Sequence, residues 1–256
     1  MKKDPYFGTG LLVVKNVGDI ADKLNKNSQP AKQKLYSNKQ RIIGDLLRKN
    51  KNDEVINILR NTARFEMKFD NIRATTEIYY ERMVDIFLSD SENRFSARIV
   101  DKQNPDFDGN GIEDAWETYT KYAADLVIKE MKNMPEDNLC IILDEITRPR
   151  NKPLSLEDTL LSKIRTEVLK DASMDFDKIF GALSIESHSN FLMQLSDLLL
   201  GAVMYDYKNK SGLVSSQTIK RKEPLVRKLR NALKVNSLAQ VFTDDSLAYF
   251  NVSECI

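Results

Sequence analysis

The chain predicts an α/β protein, a ribonuclease-H-like mixed sheet flanked by helices, and three observations lead toward that class. Strand-like runs alternate with helical ones along its length, as layered α/β folds require. Leu139 to Leu143 is a continuous apolar run of strand length, followed by Asp144 and Glu145. That pattern suits a central strand covered on both faces, with acids at the carboxyl edge where open α/β sheets place ligands. Phe191 to Tyr207 (FLMQLSDLLLGAVMYDY) is a helical stretch apolar almost all round, which marks a core helix.

Taken in order, Tyr6 to Val14 is strand-like, with Gly8 and Gly10 inside it. Residues 19–60 are rich in Lys, Asn and Gln around two short amphipathic pieces, and predict a helical insertion or lid. Phe65-Glu66-Met67-Lys68-Phe69 alternates with period two, placing Glu66 and Lys68 on one face if extended. Tyr79, Met83 and Ile86 mark a helix, and Phe95, Ala97, Ile99 and Asp101 alternate with Ser96, Arg98 and Val100 as a half-buried strand. A long helix follows from Trp116 toward Pro135, then the Leu139–Leu143 strand. Next come a helix over about 157–169, a strand over 179–185 and the Phe191 helix, with Asn190 as its N-cap. A basic amphipathic helix over 224–235 closes the series.

Composition removes several classes. With 256 residues and 41% hydrophobic content the chain can bury a proper core. A net charge of +1 gives no global drive toward nucleic acid or membrane, so polyanion contacts must come from local patches. Cys140 and Cys255 make no disulfide framework, no apolar run approaches membrane-spanning length, and no export signal is visible. A reducing cytoplasm is the expected compartment. One histidine, His188, argues against imidazole metal sites and Ser-His-Asp chemistry, so any enzyme here would work with carboxylates.

Three carboxylates stand out by context: Glu66 on a strand-like run, Asp144 at a strand end and Asp197 in the core helix. An unpaired buried carboxylate is costly, so Asp197 needs a hydrogen-bond donor, a cation or a watered cavity. Gln194 and Gly201 share its helix face, and Gly201 leaves room for a ligand or a second backbone. Clustered carboxylates suit hard divalent cations such as Mg or Mn, two of which can drive phosphodiester hydrolysis. Ordinary ion pairing of all three acids is the alternative.

A second motif fits the calcium-loop pattern at each ligand position: Asp106, Asp108, Asn110, the Ile112 carbonyl, Asp114 and Glu117, with Gly111 at the turn. Glu113 stands where an apolar residue is usual and no partner loop exists, so a bound Ca would be structural; a solvated acidic turn is the alternative. Lys220, Arg221, Lys222, Arg227 and Lys228 form a basic patch that could contact phosphates or simply be a solvated helix face.

The order and surroundings of the three acids resemble the bacterial and phage domain-of-unknown-function family 3800, whose fold is ribonuclease-H-like. The resembling pieces are Tyr6-Phe7, Phe65 to Phe69, Ile99 to Lys102 and Ile142-Leu143-Asp144. The most specific is Ile185-Glu186-Ser187-His188 running into Leu192 to Gly201. The matches span most of residues 5–210, implying a ribonuclease-H-like domain over 1–210, with its insertion at about 19–60, and a C-terminal extension over 211–256. The resemblance implies that Glu66, Asp144 and Asp197 are catalytic, metal-binding acids of a nuclease using Mg or Mn. Lys68 would then contact phosphate or support the acids, in a phage-defence or mobile-element setting. Family members open with a strand ending Asp-Glu-Ser-Gly ahead of the Tyr6-Phe7 position, which these 256 residues do not include. Asp101 or Glu145 could substitute for the missing acid, or the chain could be a catalytically reduced nucleic-acid-binding or protein-interaction subunit. A calcium-stabilised scaffold is a third possibility. Expected partners are nucleic acid, a protein or a second copy, and no membrane.

Overall fold

Two sheets organise the computed structural model, which describes residues 5–103, 115–171 and 173–255. The larger sheet has the order β1-β2-β6-β5, with β1 at Tyr6–Val13, β2 at Arg94–Asp101, β5 at Phe242–Asp244 and β6 at Tyr249–Cys255. β1 and β5 run antiparallel to their neighbours, while β2 and β6 are parallel. The smaller sheet pairs β3 (Leu139–Asp144) with β4 (Ile179–Ile185) in parallel. Seven helices are described: α1 (Val17–Arg48), α2 (Asn52–Ala63), α3 (Glu77–Leu88), α4 (Ala115–Asn133), α5 (Leu156–Val168), α6 (Phe191–Lys210) and α7 (Ser216–Ala232). The chain is thus a mixed α/β protein. Among the described residues no helix is long and apolar enough to cross a membrane.

The alternation in β2 assigns the layers. Phe95, Ala97 and Ile99 point into a core shared with α3, α6, α7 and β6. On the opposite face Arg94 and Ser96 bond Glu130 at 2.8 and 2.6 Å, and Arg98 bonds Asp125 at 2.8 Å, all on α4. The period of two therefore separates an apolar face from one built of ion pairs. β1 is held between the same helices. A Cβ at Gly8 would lie 2.6 Å from Met204 Sδ, and one at Gly10 would lie 3.3 Å from Leu200 Cβ, so both glycines admit α6 closely. On the other face Phe7 meets Tyr122 of α4, ring centroids 6.5 Å apart.

The insertion is helical, but its start belongs to the core: Ile20, Leu24 and Ala31 of α1 are buried. Its far end leaves Ile42, Leu47, Ile56 and Leu59 exposed. The tail departs more from expectation. α7 begins at Ser216, capped by the Ser215 hydroxyl, and runs through Pro224 instead of starting there. Residues 242–255 then add β5 and β6, with Phe250 and Val252 fully buried in the main core. β3 is also less covered than its composition suggests. Ile141 and Leu143 pack on α4 and α5, whereas Cys140 and Ile142, on the opposite face, are exposed.

Candidate functional site

The site is built from α6 outward. Asn190 caps this helix, its side chain accepting from the N–H groups of Leu192 at 2.8 Å and Met193 at 3.0 Å. Gln194 and Asp197 face residues 65–69, which join no sheet; Lys68 is extended and Phe69 opens a single 3-10 turn, Phe69–Asn71. The Met67 N–H donates to Gln194 Oε1 at 2.8 Å and the Phe69 N–H to Asp197 Oδ2 at 3.0 Å. Alternate N–H groups of an extended chain point one way, and side chains three apart share a helix face. The helix therefore satisfies the segment's backbone as a neighbouring strand would. A Cβ at Gly201 would overlap the Phe69 side chain, so the space this glycine leaves is filled by a neighbouring segment. Gln194 also donates from Nε2 to the Ser187 carbonyl at 3.0 Å, tying down the turn after β4.

Lys68 is the cation whose field the acids share. Its ammonium lies 2.7 Å from Glu66 Oε2, which also accepts from the Ser187 hydroxyl at 2.9 Å. Asp144 ends β3 opposite Ile185 of β4, and its charge, with those of Glu66 and Asp197, acts on Lys68. Partial burial works against the Lys68 ammonium, yet these three carboxylates hold its pKa above the ordinary lysine value. Burial likewise opposes the Glu66 charge, but Lys68 and Ser187 outweigh it and keep the carboxyl below its usual range. Asp197 goes the other way. Burial pushes its pKa up, the Phe69 N–H and Lys68 only partly offset that, and Asp70 and Asp144 add repulsion. Three carboxylates distant in sequence thus share one electrostatic neighbourhood, with one ammonium among them.

The remaining sequence candidates are distributed differently. Lys222 pairs with Asp70 and lies 4.4 Å from the Phe69 ring centroid, on the same segment as the acids. Lys228 pairs with Asp85 at 2.8 Å, while Lys220, Arg221 and Arg227 are exposed on α7. His188 Nδ1 lies 3.0 Å from Glu186 Oε2 and its charge bears on Glu66. Asp101 accepts from the Gln103 N–H at 2.9 Å, and Glu145 is exposed just beyond β3. Of the calcium-loop candidates, Asp106, Asp108, Asn110, Ile112 and Asp114 lie outside the described residues. Glu117, on α4, is held by Lys152 and Lys163 at 2.9 Å each.

Spacing alone does not reveal the parts played by Ser187 and Asp70, because both act through turns, where no periodicity points to a partner. Ser187 stands within the most specific resembling piece and Asp70 directly follows the Phe65–Phe69 one, and those positions are the only sign. Among the described residues no three His, Cys, Asp or Glu side chains group closely enough to hold a metal ion as they stand. Comparison with protein-family models, curated proteins and solved structures finds no match to this chain.

Proposed function

We propose that this protein is a ribonuclease-H-like, divalent-metal-dependent hydrolase of phosphodiester bonds in DNA or RNA, with Glu66, Asp144 and Asp197 as its acids. The observation that supports it is the shared field of three carboxylates around Lys68, at the carboxyl end of the parallel β3–β4 pair. Two of them, Asp144 and Asp197, repel each other, and Asp197 is held above its usual range by burial. Hard oxygen donors in this state suit Mg or Mn, and Asp144 and Asp197 would hold the ion, with Glu66 joining when Lys68 turns from it to phosphate. A bound ion of this kind supplies charge neutralisation and an activated water. The chain's own residues orient the acids: Phe69 N–H fixes one oxygen of Asp197, and Ser187 fixes Glu66. The exposed cations Lys220, Arg221 and Arg227 would offer the polyanion a surface on α7, the helix whose Lys222 pairs with Asp70.

The Lys68–Glu66 ion pair favours a second reading, a catalytically reduced nucleic-acid-binding or protein-interaction subunit of the same fold, since an ammonium at that carboxylate takes a cation's place. Cleavage of labelled single- and double-stranded DNA and RNA with Mg or Mn separates the two. The protein as made from its natural gene should cleave at least one substrate, and Asp144→Asn and Asp197→Asn should each lower the rate by at least about a hundredfold. Binding without turnover selects the second reading. Turnover indifferent to both substitutions refutes the site.

A further inference from the structure

Charge is distributed unevenly along this chain. Residues 32–64 cover the outer part of α1, the turn after it and α2, and hold nine Lys and Arg against three Asp and Glu, a net charge of +6. The whole chain carries +1, so all other residues together carry −5. Four of the nine cations are engaged. Arg48 pairs with Asp45, and Lys51 lies 2.6 Å from Glu54. Lys39 donates to Thr62 Oγ1 at 3.3 Å, and Lys32 stands 5.9 Å from the Phe191 ring centroid. The other five, Lys34, Arg41, Lys49, Arg60 and Arg64, are exposed, and their side chains pair with no acid among the described residues.

Helical geometry turns most of these cations away from the seam where α1 and α2 pack on each other. Ile43 of α1 and Val55 and Thr62 of α2 are buried. At about 100° per residue, Lys34 and Arg41 lie roughly 180° and 160° from Ile43, and Arg60 roughly 140° from Val55. The exposed apolar residues lie elsewhere. Tyr36 and Leu47 fall within about 40° of Ile43, as Leu59 does of Val55, and Ile42 and Ile56 stand at about 100°, so all five flank the seam. A helix that binds a membrane surface keeps its apolar face free for lipid. Here the apolar faces meet each other, and the outward face is polar and cationic.

The hairpin is rooted beside the acids. α2 ends at Ala63, Arg64 follows, and Glu66 comes two residues later. Phe191, near Lys32, opens α6, the helix that carries Asp197.

We propose that the α1–α2 hairpin is an arm that binds the phosphodiester backbone of nucleic acid, with Lys34, Arg41, Arg60 and Arg64 as its phosphate contacts. Unpaired exposed cations meet phosphates without breaking an ion pair, and each contact releases condensed counterions. A local excess of positive charge on a chain whose remainder is negative steers a polyanion to this face. The arm leads to carboxylates which, with a divalent ion, suit a phosphodiester, so nucleic acid is the ligand that answers both features. In that step the inference rests on the proposed function. Contacts to phosphate position the strand and read no bases, so binding is independent of sequence.

The test is binding alone. Anisotropy of labelled single- and double-stranded DNA and RNA is followed without divalent ions, so cleavage plays no part. Lys34→Gln, Arg41→Gln, Arg60→Gln and Arg64→Gln together should weaken binding at least about tenfold at roughly 0.1 M salt. They should also lower the slope of log K against log salt by about 3, at roughly 0.7 to 0.9 for each lost contact. Exchanging Lys for Arg and Arg for Lys at the same four positions should keep the slope. Each single Gln substitution should remove about 0.8 of it, which keeps the test available should the fourfold variant fail to fold. Unchanged affinity and slope in the Gln variants overturn the arm. So does a loss confined to Lys220→Gln, Arg221→Gln and Arg227→Gln, which would give the contact to α7. No binding at any salt overturns the ligand, as does tighter binding to phosphatidylserine vesicles or polyglutamate that the same four substitutions abolish. Binding that depends on the arm, in a protein that cleaves nothing when Mg or Mn is added, keeps the arm and rejects the hydrolase.

Discussion

Helix α6 carries two carboxylates in opposite circumstances, Asp206 near its carboxyl end and Asp197 near its middle. Asp206 is 4% exposed, and Oδ2 accepts from the Leu238 N–H at 2.6 Å and the Ser237 hydroxyl at 3.2 Å, with Arg230 Nε 3.9 Å away. Glu130 on α4 is of the same kind, answered by Arg94 and Ser96. Asp197 is bonded by one backbone N–H, while its nearest ammonium is bonded to Glu66 and two other acids repel it. A buried acid with several donors holds the fold together. One left short of partners beside further acids costs the fold stability, and such a cost points to use of the charge.

The sharpest way to break this contrast is Asp206→Ala. It strands the Leu238 N–H and leaves Arg230 without one of its acids, so a loss of about 3 kcal/mol is expected in denaturant unfolding. A loss below about 1 kcal/mol would place Asp206 among the ordinary surface acids. Gly201→Ala comes next. The added methyl must displace Phe69 and with it the segment bearing Glu66 and Lys68, for a loss of about 2 kcal/mol, and calorimetry that finds no drop in Tm would contradict the close packing described.

Asp197→Asn should go the other way. The amide oxygen still accepts from Phe69, and the partly buried charge is gone. Because the fold raises the Asp197 pKa, the ionised group weakens the folded state above the ordinary aspartate range, so its removal should add on the order of 1 kcal/mol at neutral pH. Equal destabilisation by this change and by Asp206→Asn, measured side by side, would erase the distinction. The smallest effect is at Glu66. Its lowered pKa contributes stability that is present above the ordinary glutamate range and is lost as pH falls through the depressed value. Lys68 is the mirror image, its contribution present below the ordinary lysine range and lost as pH climbs through the raised value. Glu66→Gln should therefore flatten both limbs by less than about 1 kcal/mol, since the pair is partly exposed. Stability–pH curves that superimpose for the two proteins would show that the pair contributes nothing.

Much of the architecture was legible because periodicity reports burial. The faces of β2, the core character of α6 and the Asn190 cap follow from spacing within one element. The extended segment at Glu66 was legible as period two, but its partner was not: Gln194 and Asp197 satisfy it from a helix, an arrangement that no local pattern encodes. The tail is less legible, because Pro224 looks like a helix start and the run at 242–244 is too short for alternation to show.

What the sequence determined by itself was therefore local: which residues turn inward, where the helices and most strands lie, and that an acid sits in an apolar helix. Side-chain period, capping chemistry and apolar content act over a few residues and leave their mark there. The tertiary structure alone decided that Lys68 feels Glu66, Asp144 and Asp197 together, that Asp206 gathers several donors while Asp197 has one, and that β1 and β3 border one cavity. Charges and backbone edges interact by distance in space, and distance between residues tens of positions or more apart is set only when the layers close.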